Sequence, residues 1–143
     1  MAKLKVLLVD DEDDFREVLA QRMITRGLDV DTAESGQRAI EIVDDKSYDA
    51  VILDLAMPVM DGMETLGELL KKDPNLQVIV LTGRATVEKG VTAVKMGAAD
   101  FLEKPAEIEF LVKKIEAAQA KKLAIFEDNL DKKISDITRK KGW

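Results

Sequence analysis

Apolar residues along this chain fall into two alternating rhythms. Short continuous runs at Val6–Val9, Val51–Leu53 and Val78–Leu81 are each bounded by polar or turn residues. Runs of this length read as strands covered on both faces. Between them apolar residues recur at helical spacing. Phe15, Val18, Leu19 and Met23 share one face, Ala39, Ile40 and Val43 another, and Val87, Val91 and Val94 a third. The segment Asp61–Lys72 reads as a further helix ending before Asp73-Pro74. Two weaker strands are expected at Leu28–Ala33, where polarity alternates, and at Asp100–Glu103. A last helix starts near Glu107, with Ile108, Leu111, Val112 and Ile115 on one stripe.

Strand and helix therefore alternate five times. Such alternation implies an α/β domain, a parallel sheet with helices on both faces. The three continuous apolar strands belong at the centre and the two weaker ones at the edges. That matches a doubly wound five-stranded sheet in the order 2-1-3-4-5, the flavodoxin-like arrangement. The compact pattern ends near residue 120, which divides the chain into a domain over 1–120 and a helical extension over 121–143. Residues 107–141 contain neither proline nor glycine, so the fifth helix is expected to continue past residue 120. Leu123, Phe126, Leu130, Ile134 and Ile137 step by 3, 4, 4 and 3, which keeps them on one helical face. An apolar stripe left in water seeks a partner. Pairing with a second copy or with a different protein is expected, in preference to folding back onto the domain.

Composition narrows the chemistry. The chain has 143 residues, with no cysteine and no histidine. That removes disulfides, thiolate chemistry, the commonest general base and the commonest transition-metal ligand. No apolar run approaches the ~20 residues of a membrane span. The start, MAKLKVLLVDD, runs straight into acids and lacks a signal peptide's pattern. A cytoplasmic protein without membrane contact is expected. Residues 121–143 carry seven Lys/Arg against four Asp/Glu, a net +3, while the rest carry 15 against 24, a net −9. An acidic body argues against direct DNA binding.

One residue breaks the apolar pattern. Asp54 sits among Val51, Ile52, Leu53 and Leu55, and a buried carboxylate is costly unless paired. In open α/β sheets ligands bind beyond the carboxyl ends of the strands, where strand order reverses. Asp10 and Asp11 end the first strand, Asp54 the third, Thr82 the fourth and Lys104 the fifth. Three carboxylates this close repel one another, and a divalent cation resolves the conflict. Oxygen ligands without His or Cys favour Mg²⁺ or Mn²⁺. Cation, ammonium and hydroxyl together can neutralise a phosphoryl group, whose transfer is mainly positioning and electrostatics. Asp54 lies between the strand-1 acids and the Thr82/Lys104 side, which makes it the best acceptor of an acyl phosphate.

VLLVDDE (6–12), ILDLAMPVMDG (52–62), VIVLTG (78–83) and GAADFLEKP (97–105) together resemble the receiver domain of two-component response regulators. Each motif is modest alone, but the four in this order and spacing are specific, and the resemblance covers roughly residues 3–120. It implies that Asp54 accepts phosphate from a sensor histidine kinase or a phosphotransfer protein. Asp10 and Asp11 then hold Mg²⁺, one of them largely through water, with the backbone carbonyl of Ala56 as a further ligand. Thr82 matches the switch hydroxyl, Lys104 the phosphate-binding lysine, and Phe101 an aromatic that turns inward on activation. Lys104–Pro105 is expected to be cis. Small departures are Ala56, which offers no side chain beside the phosphate, Val59 in place of a frequent glycine, and Phe101, which lacks a hydroxyl. They bear on dephosphorylation rate and partner choice. The expected output is a protein contact, with homodimerisation through the face of the fourth helix, fifth strand and fifth helix or through the extension. The chain is then a signalling switch, either a single-domain regulator or a fragment of a larger one, and an enzyme only in assisting its own phosphorylation and hydrolysis.

Plainer roles exist for each residue. Any single Asp can cap a helix, Thr82 can simply end a strand, and lysines are usually surface residues. Asp14 followed by Glu17 looks like a helix start, and Asp61-Gly62 like a loop-to-helix junction. It is the convergence of five groups on one crevice that outweighs these. A haloacid-dehalogenase-type phosphatase needs a second aspartate two residues after the nucleophile, where this chain has Ala56. A mononucleotide or flavin binder needs a Gly-rich phosphate loop after the first strand, where acids stand instead. A receiver-like module that never takes phosphate would be expected to lack part of this set.

Overall fold

The computed structural model describes residues 3–57, 62–83 and 86–140, with side chains described to residue 137. The expectations for Val59 and Asp61 lie outside these residues. Ten elements alternate: β1 (Lys5–Val9), α1 (Asp13–Thr25), β2 (Asp29–Ala33), α2 (Gly36–Asp45), β3 (Ala50–Asp54), α3 (Gly62–Lys72), β4 (Val78–Thr82), α4 (Val87–Met96), β5 (Asp100–Glu103) and α5 (Ile108–Lys140). The strands form one parallel sheet in the order β2-β1-β3-β4-β5. The continuous apolar runs are the three central strands, as their two-sided burial requires.

Alternate residues along each strand feed two cores. Val6, Leu8, Ile52, Ile79 and Leu81 face α1 and α5, where they meet Leu19, Met23, Leu111 and Ile115. Leu7, Val9, Val51, Leu53 and Val80 face the other way, onto Leu66, Leu69 and Ala93 of α3 and α4. Gly27 and Gly97 have φ of +86° and +121°, and they follow the ends of α1 and α4, where a left-handed residue stops a helix.

Two helix faces depart from the expected pattern. On α1 the buried set is Leu19, Ala20 and Met23, while Val18 is 54% exposed. On α4 the buried residues are Gly90 and Ala93, and Val91 and Val94 lie on the surface. Small residues let α4 approach the sheet closely, so its larger side chains point outward. The start of α1 also differs. Its N-cap is Glu12, without a side-chain cap bond, and Asp13 and Asp14 occupy the first turn, where negative charge favours the helix.

α5 continues far beyond the sheet. Lys122 Nζ donates to the Tyr48 carbonyl at 2.8 Å, tying the helix to the loop before β3. From Phe126 to Ile137 every residue is exposed, and Leu123, Phe126, Leu130, Ile134 and Ile137 form a wet apolar stripe. Among the described residues no helix is long and apolar enough to cross a membrane.

Candidate functional site

The sheet register delivers the acids to one edge. Val9 pairs with Leu53, so Asp10 and Asp54 leave the ends of neighbouring strands side by side. Backbone bonds extend the ladder past each strand end and hold the groups there. Asp10 N donates to Ala33 O at 3.1 Å, Leu55 N to Leu81 O at 3.1 Å, and Lys104 N to Thr82 O at 2.7 Å. The Lys104–Pro105 peptide bond is cis.

Lys104 bridges the two buried acids. Its Nζ lies 3.1 Å from Asp54 Oδ2 and 3.8 Å from Asp10 Oδ2. The other oxygens accept backbone bonds: Ala56 N–H donates to Asp54 Oδ1 at 3.0 Å, and Glu12 N–H to Asp10 Oδ1 at 2.9 Å. Asp10 Oδ2 is buried with no hydrogen-bond partner among the described residues. Asp11, half-buried, completes a group in which one oxygen from each of Asp10, Asp11 and Asp54 lies within 4.8 Å of the others. A cluster of hard oxygens with one orphaned buried carboxylate oxygen suits a small divalent cation such as Mg²⁺.

Thr82 and Phe101 stand one layer away. Thr82 is buried, and its hydroxyl is 3.4 Å from the Leu102 carbonyl, a long contact on the side away from the acids. Phe101 is half-buried, with its ring over α4. A Cβ on Gly90 would lie 2.8 Å from Phe101 Cδ2 and 2.9 Å from the Thr82 methyl. Thr82 and Phe101 therefore meet at one glycine, which sequence periodicity gives no reason to single out. Phe15 was also hidden: helical spacing marks it as a face residue, yet Lys104 Nζ sits 4.3 Å from its ring centroid. Ala56 is exposed, and its contribution here is its N–H.

Burial pushes the Asp10 carboxyl up from 3.8 to about 6. Asp54 and Asp11 add to this, and the Glu12 N–H and Lys104 oppose it. A raised carboxyl pKa means that the folded state binds the extra proton. Stability from this group is complete below about pH 4 and is lost as pH rises through 6. The ceiling on that loss is ~3 kcal/mol, lowered by water entering the open crevice. Asp10→Asn removes the penalty and keeps an acceptor for Glu12 N–H. Without divalent ions the variant should melt higher than the parent at pH 7.5, and the gap should close near pH 4. Added Mg²⁺ should stabilise the parent far more than the variant at pH 7.5. A variant melting lower at pH 7.5 in chelator would mean that the Asp10 charge is not strained.

A family model described as the response regulator receiver domain matches residues 6–116. An NtrX-like response regulator of Rickettsia bellii is 35% identical over 145 residues, covering 99% of this chain and 30% of that protein. The structure of a response regulator receiver domain protein from Clostridium thermocellum superposes with a TM-score of 0.82 at 32% identity. It covers 85% of this chain and 98% of that one. NtrX from Brucella abortus superposes with a TM-score of 0.77 at 30% identity, over 95% of this chain and 30% of that one. This chain thus spans under a third of the NtrX-like relatives it matches. With the sheet order, the acid cluster and the lysine in place, it belongs to the response regulator receiver family of phosphoacceptor signalling domains.

Proposed function

We propose that this chain is a phosphorylation switch whose acceptor is Asp54. The observation that carries the reading is Lys104 Nζ set 3.1 Å from Asp54 Oδ2 and 3.8 Å from Asp10 Oδ2. A compact cation is placed where phosphoryl oxygens gather, beside a carboxylate that can attack. Asp54 is held in attacking orientation by Ala56 N–H on one oxygen and Lys104 on the other. As its oxygen bonds to phosphorus, the phosphorus–nitrogen bond to a donor histidine breaks, and the imidazole leaves. Lys104 offsets the charge on the phosphoryl oxygens. Asp10, Asp11 and Asp54, with the Ala56 carbonyl, would hold Mg²⁺, which supplies further neutralisation of that charge when bound.

The donor is a histidine kinase or phosphotransfer protein. Phosphorylation draws Thr82 toward the new group and frees Phe101 to move, which changes the α4-β5-α5 surface. A shift of a few kcal/mol in a two-state balance is enough. Residues 1–120 form the switch and 121–143 a helical extension whose apolar stripe pairs with another helix. Output through a cytoplasmic protein partner, without DNA contact by this chain, fits the acidic body.

Incubation with a small acyl-phosphate donor and Mg²⁺ should place one base-labile phosphoryl group on the chain, and chelator should suppress it. Peptide mapping after borohydride reduction should locate the group at Asp54. An unlabelled chain, or label on a hydroxyl residue, would overturn the reading.

A further inference from the structure

We propose that Phe15 is a positioning residue for phosphoryl transfer, holding the Lys104 ammonium over the crevice through the face of its ring. The inference rests on the phosphoacceptor reading and extends it to a residue of α1. Lys104 Nζ lies 4.3 Å from the Phe15 centroid, inside the ~6 Å over which a ring face attracts a cation. The ammonium thus has three neighbours: the ring, Asp54 Oδ2 and, more distantly, Asp10 Oδ2. The two carboxylates alone define a line along which it can slide. The ring supplies a third direction, and the Lys104 side chain is only 22% exposed.

Phe15 is itself fixed. Its neighbour Arg16 donates from Nη1 to the Asp10 carbonyl at 2.8 Å and pairs with Asp13 at 2.6 Å. Arg16 N–H donates to Glu12 O at 2.9 Å. The first turn of α1 is therefore tied to the end of β1, the strand that delivers Asp10, and the ring itself packs against the core beneath α1. A lysine stem has four rotatable bonds and much rotamer freedom. Restricting it before the donor arrives lets the charge act without reorganising. An aliphatic side chain at position 15 would fill the same space without a negative ring face.

The test uses the full chain and four variants: Phe15→Leu, Phe15→Tyr, Lys104→Met and the Phe15/Lys104 double variant. Phe15→Leu should slow labelling by a small acyl phosphate by about three- to tenfold. Phe15→Tyr, which keeps the ring face, should stay within about twofold of the parent. In the Lys104→Met background the Leu substitution should change nothing further, since its effect runs through Lys104. An unchanged rate in Phe15→Leu, or an equal slowing with and without Lys104, would overturn the proposal. A second readout needs no phosphorylation: the ε-methylene protons of Lys104 should be shifted upfield by the ring in nuclear magnetic resonance spectra. That shift should vanish in Phe15→Leu and persist in Phe15→Tyr. If the parent takes no phosphate but the shift behaves this way, the phosphoacceptor reading fails and the contact stands. If the shift is absent from the parent, the contact itself is wrong.

Discussion

Asp54→Asn should abolish phosphoryl uptake, with labelling falling below about one-hundredth of the parent's. An amide has the shape of the carboxylate but no anionic oxygen to attack phosphorus. It also faces Lys104 either with a neutral oxygen or with a nitrogen that repels the ammonium 3.1 Å away. Burial strengthens the effect, because Asp54 is 2% exposed and charge interactions count for more at a buried position than in water. Lys104→Ala should act in the same direction through the opposite sign. It removes the cation nearest both buried acids, and a loss of about 10²–10³ in rate is expected, as for other preorganised transition-state donors. The two variants separate attack from stabilisation. In Lys104→Ala the acceptor survives and label should still accumulate slowly, whereas Asp54→Asn should give none at any time. Equal label on parent and Asp54→Asn in a time course would move the acceptor elsewhere.

The parts of this site that were legible in the sequence are those where one residue type violates its surroundings. Asp54 interrupts an apolar run, Asp10 and Asp11 end another, and Lys104 precedes a proline. Asp10 and Asp54 are polar groups where strand burial predicts none, Lys104 is marked by its place at the end of the last strand, and the order of strands then brings them together. Strand placement was legible for a related reason: only a central strand of a parallel sheet tolerates five consecutive buried residues, as β3 and β4 show.

Helix faces carried less information. Spacing on α4 marks Val87, Val91 and Val94, but Gly90 and Ala93 point inward because the sheet and the Phe101 ring leave no room for more. Periodicity ranks residues by hydrophobicity, and a glycine chosen for its lack of a side chain scores as nothing. The Phe15–Lys104 contact joins residues 89 positions apart and has no local signature. The Thr82 hydroxyl was expected toward the acids, and its partner is the Leu102 carbonyl, a choice of rotamer that sequence does not encode. Side chains that act through shape or through a neighbour stay invisible until the backbone is known.

Gly62→Ala should be the most destabilising single-methyl change at the site. A Cβ there would overlap Leu55 Cα and lie 2.6 Å from the Asp54 carbonyl oxygen, both backbone atoms at the end of β3. A flexible side chain could swing aside, but β3 is the middle of the sheet and cannot move without breaking its ladders. The first turn of α3 must be pushed off the sheet, or β3 must bend. Overpacking of this kind costs about 3 kcal/mol, a fall of roughly 10 °C in melting temperature for a domain of this size. Gly67, five residues on in the same helix, provides the contrast. A Cβ there meets nothing within 4 Å. Gly67→Ala should stabilise the chain by about 0.5–1 kcal/mol through helix propensity alone. Denaturant unfolding of both variants checks the pair. Because Gly62 rests on the backbone of Asp54 and Leu55, its alanine variant should also label more slowly under conditions where it remains folded, while Gly67→Ala labels normally. A Gly62→Ala protein as stable as Gly67→Ala would mean that α3 can shift without disturbing the acceptor. The close approach of helix and strand would then be an accident of packing rather than a support for Asp54.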